Sequence, residues 1–316
     1  MQNNSRLLLM MAAAAALSGC ASTPTASRTN TAKTVDASSQ AGKATSADTQ
    51  QPKGYSEAVS QGDAAWQAQD FDRAIYFYVQ ALDKTPSDAA TLAKIGAIED
   101  VRGNSALAER AFELAHRADP AEPHTAERLA RLYLKAGKVD DAAVVYTQVL
   151  ALDVSRSRAL DGMGEVCLAR ADYGQAILYF DRALKAERPD ASTVLTHRGF
   201  AKLHLRDLTG AETDLRSATS IPARADAWIA PRDDAWKYLG DVLVLRSDPA
   251  GALESLLKVM TTAEAYNEIG VVLMEAKEYQ GAKNYFAKAI ATSAGWFEAA
   301  QRNLALVDER LRQAGG

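Results

Sequence analysis

Cys20, near the start of the 316-residue chain, follows residues that favour covalent modification of its sulfur. Cys20 follows an apolar run over residues 7–17 and two small residues, Ser18 and Gly19. The run is too short for a membrane-spanning helix, which needs about 20 apolar residues, but it has the length of an export signal. Small residues fit the extended chain that a signal peptidase cleaves. The sequence therefore predicts a signal peptide over 1–19, cleavage before Cys20 and acylation of the cysteine.

The run Leu17-Ser18-Gly19-Cys20 resembles the lipobox of bacterial lipoproteins. The resemblance implies a diacylglycerol on the Cys20 sulfur and an amide-linked acyl chain, and several chains hold a membrane far more firmly than one. Inner-membrane lipoproteins commonly carry aspartate after the cysteine, where this chain has Ala21. By resemblance, the protein is expected on the outer membrane of a Gram-negative cell, facing the periplasm. The alternative is an ordinary secretory signal in which the cysteine is incidental.

Residue patterns that would indicate catalysis are missing from the sequence. The histidines form neither an HExxH motif nor a cysteine–histidine metal pattern. His197 and His204 are seven residues apart and could share a helix face, but packing is the expected role rather than metal binding. There is no phosphate-binding glycine loop and no nucleophile elbow. The sequence predicts no catalytic residue, no metal site and no cofactor apart from the acyl groups on Cys20. The four histidines are His116, His124, His197 and His204.

The segment 20–54 is dominated by Ser, Thr, Ala, Gln, Lys and Asp, with Val35 as its only large aliphatic residue. Such a composition cannot bury enough apolar surface to offset the entropy lost on ordering. We expect a disordered tether with a root-mean-square reach of roughly 30–35 Å. It is either a passive spacer or a contact to peptidoglycan or another protein. The net charge of the chain is −4, and the sequence has no concentrated cluster of basic residues of the kind that nucleic-acid binding needs.

After the tether, small and aromatic residues recur every 34 residues. Small residues let two antiparallel helices approach closely, and an aromatic residue fills the space between neighbouring units. One period kept through four copies predicts a repeat protein built from helix pairs. The recurring residues are Gly62, Gly96, Ala130 and Gly164, then Ala74, Ala108, Ala142 and Ala176, then Tyr78, Phe112, Tyr146 and Phe180.

Three further units follow with altered spacing, and an insertion at 223–232 separates the fifth from the sixth. Trp228 in the insertion is a candidate anchor for a partner, unless it packs back onto the helices. A last helix within 295–316 is expected to cap the open end. The seven predicted units cover about 55–88, 89–122, 123–156, 157–190, 192–224, 233–262 and 263–294.

This pattern resembles the tetratricopeptide repeat, and the resemblance covers most of the chain. It implies an all-α, right-handed superhelical solenoid of about seven helix pairs, closed by a C-terminal capping helix. In this family the first helix of each pair lines a concave groove. By that register, the candidate groove residues are Ala97, Val101, Arg128, Arg131, Leu134, Lys135, Leu168, Phe200, Leu203 and Val244.

The groove centre is expected to be mostly apolar, which suits an amphipathic helix or an extended apolar peptide. Some relatives clamp a terminal carboxylate with Lys and Asn where this chain has Val59 and Asp63, so such a clamp is not expected. Cys167 should be a small buried core residue rather than a reactive thiol. Four basic residues either pair with acidic groups of a ligand or offset nearby carboxylates: Arg128, Arg131, Lys135 and Arg158.

A lipobox followed by such repeats resembles the pilotins and assembly lipoproteins of bacterial pili, of the TadD and PilF types. The run Gln-Arg-Asn-Leu-Ala-Leu at 301–306 is most similar to the C-terminus of the TadD type. The resemblance implies a non-enzymatic scaffold that binds an envelope protein and assists secretin assembly in a Tad-type or type IV pilus. One alternative is an adaptor lipoprotein that docks peptidoglycan hydrolases or synthases, because the fold serves both roles. Another is an enzyme subunit whose site forms only on assembly.

Overall fold

The computed structural model describes residues 54–187, 190–221 and 231–314. These residues form fifteen α-helices and no strand, which confirms the all-α prediction. They belong to two compact units that divide between Pro120 and Ala121. Cys20 and the tether up to residue 53 lie outside the described residues. So does the insertion with Trp228 up to residue 230, after which a helix begins at Pro231.

Helices follow one another as pairs joined by short turns. The first unit contains α1 (Tyr55–Gln67), α2 (Phe71–Lys84), α3 (Ala89–Val101) and α4 (Ser105–Ala118). The second unit contains α5 (Pro123–Lys135), α6 (Val139–Leu152), α7 (Ser157–Ala169), α8 (Tyr173–Lys185), α9 (Ala191–His204), α10 (Leu208–Ser220), α11 (Pro231–Leu245), α12 (Pro249–Leu256), α13 (Thr262–Glu275), α14 (Tyr279–Thr292) and α15 (Glu298–Ala314).

The recurring glycine and the recurring aromatic residue meet inside a helix pair. A Cβ atom on Gly62 would lie 2.5 Å from Cε1 of Tyr78, and one on Gly270 would lie 2.6 Å from Cε1 of Phe286. Real Cβ atoms do not approach a ring that closely, so only glycine lets these two helices pack at this distance. The 16-residue spacing between the recurring glycine and the recurring aromatic residue is therefore a packing requirement of the pair.

Aspartates start several of the second helices. Asp70, Asp172, Asp207 and Asp248 each accept a hydrogen bond from the backbone N–H three residues later, at 2.9 to 3.2 Å. Such a cap satisfies one of the N–H groups that the first turn of a helix leaves unpaired. The sequence thereby fixes where the chain reverses from the first helix to the second.

In the second unit, the first helices of successive pairs contact one another. These contacts join α5 to α7, α7 to α9, α9 to α11, α11 to α13, and α13 to α15. Val307 of α15 is fully buried against Ala282 and Phe286 of α14. The first helices of this unit therefore form one continuous layer, to which side chains of neighbouring repeats contribute together.

Candidate protein-binding surface of the second unit

Two of the predicted groove residues lie in the first unit and the others in the second. Ala97 is buried, whereas Val101, the last residue of α3, is 67% exposed. In the same unit, Asp63 accepts hydrogen bonds from the Tyr78 hydroxyl at 2.6 Å and from Lys94 Nζ at 2.6 Å. The carboxylate at the position of the terminal-carboxylate clamp is thus already paired within the protein.

The apolar groove candidates of the second unit are mostly packed away from solvent. Leu134, Leu168, Phe200 and Val244 are all buried, and Leu203 is half-buried. All of them except Phe200 lie four residues after the small residue at the recurring position, and residues four apart share a helix face. These side chains therefore hold the helices together, and they leave little apolar surface for a partner.

Beside these apolar positions lies a stripe of residues spaced by four, three and four along each first helix, and on α9 this stripe includes the buried Phe200. That spacing keeps one face of a helix. We call the stripes of α5, α7, α9 and α11, together with Asp161, the first-helix surface. Its members are His124, Arg128, Arg131, Lys135, Arg158, Asp161, Gly162, Glu165, Ala169, Thr193, His197, Phe200, His204, Asp234, Tyr238, Asp241 and Leu245.

A buried ion pair anchors one end of this surface. Glu127 has a side chain only 1% exposed, and its Oε1 accepts a hydrogen bond from Nε of Arg156 at 2.7 Å. Arg156 Nη2 also lies 3.2 Å from Nδ1 of His124. Burying Glu127 without such a partner would be costly. Sequence analysis missed Arg156 because it precedes α7 and does not fall in the helical register.

Arg128, Arg131, Lys135 and Arg158, the basic residues predicted for the groove, all interact with other groups of the protein. Arg131 and Lys135 act electrostatically on Glu165 of α7 and favour its charged form. Arg131 and Lys135 therefore offset part of the negative charge at Glu165, and pairing with acidic groups of a ligand stays a prediction.

Asp161 and Glu165, one turn apart on α7, meet His197 of α9. Nδ1 of His197 lies 3.0 Å from Oδ1 of Asp161, and both side chains are mostly buried. Burial raises the pKa of the Glu165 carboxyl above its usual range. Burial by itself would lower the pKa of His197, but the charges of Asp161 and Glu165 outweigh it and raise that pKa to about 9. His197 was noted from the sequence, but its contact with the two carboxylates was not predicted.

Aromatic rings join the same surface at the C-terminal end of α9. His204 stacks on Tyr173 with ring centroids 4.6 Å apart and planes at 4°. Its ring also meets Phe200 edge-on at 4.4 Å, and Phe200 contacts Tyr238 of α11 at 4.8 Å. Offset and edge-on ring pairs of this kind add stability beyond area burial. They fix the orientation of His204, whose side chain remains exposed.

Further carboxylates lie on α11 and α13. Burial and the negative charge of Glu268 raise the pKa of Asp241 well above its ordinary value, and Lys237 only partly opposes them. Nζ of Lys237 lies 3.6 Å from Oε1 of Glu268. Burial likewise raises the pKa of Asp234. The first-helix surface is therefore polar, with its basic side chains mainly on α5 and most of its carboxylates on α7 and α11.

Cys167 is buried, as expected from its place in the repeat, and burial raises the pKa of its thiol. A buried thiol with a raised pKa is a poor nucleophile.

Over 54–187, 190–221 and 231–314, no helix combines the length and the apolar character needed to cross a membrane.

Comparison with known proteins gives a fold and a family. A tetratricopeptide repeat protein from Parabacteroides merdae ATCC 43184 superposes with a TM-score of 0.58 at 20% identity, covering 80% of this chain and 98% of that one. Pseudomonas aeruginosa pilF gives 0.52 at 16% identity, covering 69% and 97%. PilW, described as a widely conserved type IV pilus biogenesis factor, gives 0.55 at 17% identity, covering 68% and 98%. These likenesses show a shared fold.

No curated protein sequence matches the chain at a significant level. Models of the tetratricopeptide repeat match residues 59–123, 127–192, 162–227 and 263–294. Together they cover more than half of the chain, including the first-helix surface from Arg128 to His204. The chain belongs to the tetratricopeptide-repeat family.

Proposed function

We propose that this protein is a non-enzymatic scaffold that binds another protein of the bacterial envelope through the first-helix surface of its second unit. The observation that carries the proposal is the alignment of polar stripes on successive first helices. Neighbouring stripes meet at Glu165 and His197, and at Phe200 and Tyr238. A surface of this kind offers charged, hydrogen-bonding and aromatic groups along one line, as peptide recognition requires.

The electrostatics of this surface support a binding role. Carboxylates at Glu165, Asp234 and Asp241 are held in surroundings that disfavour their charged forms. Groups of ionisable residues whose pKa values are shifted by their surroundings are concentrated at functional sites. A partner that brings complementary charge would relieve that strain, which gives the surface a physical reason to bind.

The finer assignment is to secretin assembly in a Tad-type or type IV pilus, with the protein held on the outer membrane by acyl chains on Cys20. The lipobox-like run before Cys20 and the TadD-like run at 301–306 support it. The fold shared with the pilus factors pilF and PilW is compatible with it. By this proposal the acyl chains confine the complex to the membrane while the first-helix surface holds the partner.

Removing the protein from cells that build such a pilus tests the assignment. We expect fewer secretin multimers in the outer membrane, measured by immunoblot of unheated samples. Wild-type protein and the control Lys185→Glu, at the exposed end of second helix α8, should restore them. Lys135→Glu, at the exposed end of first helix α5, should not, because it reverses a charge on the binding surface. Unchanged multimers in the deletion strain would remove the secretin assignment.

A further inference from the structure

We propose that Asp161, Glu165 and His197 form a binding site for a divalent first-row transition-metal ion, with Zn²⁺ as the ion that the ligands suit best. The site lies on the first-helix surface of the second unit. It is a property of the isolated chain, so it goes beyond the scaffold role and does not depend on the identity of any partner.

The geometry brings three ligand atoms together from two helices. One oxygen from each carboxylate and one nitrogen of the imidazole all lie within 4.8 Å of one another. Nδ1 of His197 and Oδ1 of Asp161 are 3.0 Å apart. Ligands at about 2.0–2.2 Å from a tetrahedral Zn²⁺ are separated by roughly 3.3–3.5 Å, so small side-chain rotations would place an ion between them.

The donor set selects the class of ion. Two carboxylate oxygens and an imidazole nitrogen form a mixed site that suits Zn²⁺ better than Ca²⁺ or Mg²⁺, which take oxygen ligands alone. Two carboxylates also supply two negative charges for a divalent ion. Three protein ligands leave a fourth position open for water or for a group from a partner. The side chains of Asp161 and His197 keep 14% and 21% of their surface exposed, so an ion can reach them.

Charged groups on neighbouring helices surround the three ligands and affect how tightly an ion would bind. Arg131 and Lys135 face Glu165 from α5, the buried Tyr146 lies near it from α6, and Asp234 faces His197 from α11. Without an ion, a proton on His197 balances Asp161. Metal ligands must be deprotonated, so binding releases this proton and becomes tighter as the pH rises. Bound metal would link α7 to α9, and thus two successive repeats.

Titration of the full mature chain with ZnCl₂ in detergent, by calorimetry at pH 7.5, tests the site. We expect one Zn²⁺ per chain and at least a tenfold loss of affinity in His197→Gln. Glu165→Gln should cause a similar loss and serves as the second variant if His197→Gln fails to fold. The control His116→Gln lies on α4 of the first unit, outside the triad and outside the first-helix surface, and should bind as the wild type does.

Two further readouts separate this site from non-specific binding. Co²⁺ bound by an N/O donor set gives visible absorption bands, which should appear in the wild type and vanish in His197→Gln. Zn²⁺ should raise the melting temperature of the wild type and of His116→Gln, and not that of His197→Gln or Glu165→Gln. Equal Zn²⁺ affinity in the wild type, His197→Gln and Glu165→Gln would overturn the proposal. So would tighter binding of Ca²⁺ than of Zn²⁺. Either result would leave the scaffold proposal untouched.

Discussion

Arg198 of α9 shows how single residues hold the second unit together. Its Nε and Nη2 donate to the two oxygens of Asp214 at 2.8 and 2.7 Å, and its Nη1 donates to Asp181 at 2.6 Å. Nζ of Lys202 also lies 2.7 Å from Asp214, whose side chain is only 5% exposed. Two-point pairing of guanidinium with carboxylate is strong and directional. Arg198 therefore fixes α9 to the second helices α8 and α10.

Replacing Arg198 with alanine should lower the free energy of unfolding by about 3 kcal/mol, because Asp214 then stays buried with only Lys202 as a partner. Urea unfolding followed by circular dichroism measures the change. The control is Arg216→Ala, which removes an exposed guanidinium four residues from Glu212, leaves Glu212 paired with Arg246, and should cost less than about 0.5 kcal/mol. Equal losses in the two variants would contradict a structural role for the Arg198 network.

The buried carboxyl of Asp241 predicts a pH dependence. Its pKa is raised in the folded chain by burial and by the charge of Glu268, so the folded state holds this proton more tightly than the unfolded state does. Its contribution to stability is therefore lost as the pH rises from about 4 through the raised pKa. Asp241→Asn should unfold at the same urea concentration as the wild type near pH 4 and at a higher one at pH 8. Asp233→Asn, at an exposed position on the same helix, should leave both midpoints in place.

The turn between the two helices of each described pair has the same backbone conformation. A residue with positive φ follows each first helix, and it is glycine at Gly103 and Gly137 but alanine at Ala171. The others are Gln69, Arg206, Ser247 and Lys277. A side chain in the left-handed region costs roughly 1–2 kcal/mol, which glycine avoids. The repeat thus keeps the turn conformation even where the local sequence does not favour it.

Ala171→Gly should stabilise the chain by about 1 kcal/mol, because it relieves this backbone strain at φ 58°. Gly137→Ala should destabilise it by a similar amount. A Cβ there would meet no atom within 4 Å, so the conformation alone sets the cost. Thermal unfolding of the two variants should give melting temperatures that shift in opposite directions. Shifts of the same sign would contradict the strain argument.

The helix pairs were predictable from sequence, because small and aromatic residues recur with one period. The aromatic residue was expected to fill the space between neighbouring units, but in several pairs it packs on the glycine of its own pair, as Tyr78 does on Gly62. The first-helix surface was harder to predict from the repeat pattern. Register shows which face of a helix a residue occupies but not how deeply the neighbouring repeat covers it, so Leu134 and Leu168 looked like groove residues and are buried. The contact of Asp161 with His197 joins two repeats across 36 residues, and no local pattern marks it.

At the scale of the whole molecule, the proposal joins a lipid anchor to a binding surface. Each buried methylene of an acyl chain contributes about 0.8 kcal/mol, so several chains on Cys20 would keep the protein on its membrane. By this proposal, Cys20 carries the membrane anchor.

Cys20→Ala should give a folded protein that no longer sediments with membranes after cell breakage, because no site for acylation remains. Fractionation followed by immunoblot measures this, and circular dichroism checks the helix content. Cys167→Ala is the matched control, because it removes the buried thiol and should leave the protein in the membrane fraction. Membrane association of Cys20→Ala would show that something other than acyl chains holds the protein.

Binding of an envelope protein by the first-helix surface is the central claim, and site-specific photo-crosslinking tests it most directly. A photoreactive residue is placed at Lys135 on α5 or, as a control, at the exposed Leu178 on second helix α8 of the natively lipidated protein. Crosslinked products from envelope membranes are identified by mass spectrometry. The account predicts a secretin or another pilus component at position 135 and not at 178. Capture of cell-wall enzymes at 135 would contradict the pilus assignment, and capture at 178 alone would contradict the binding surface itself.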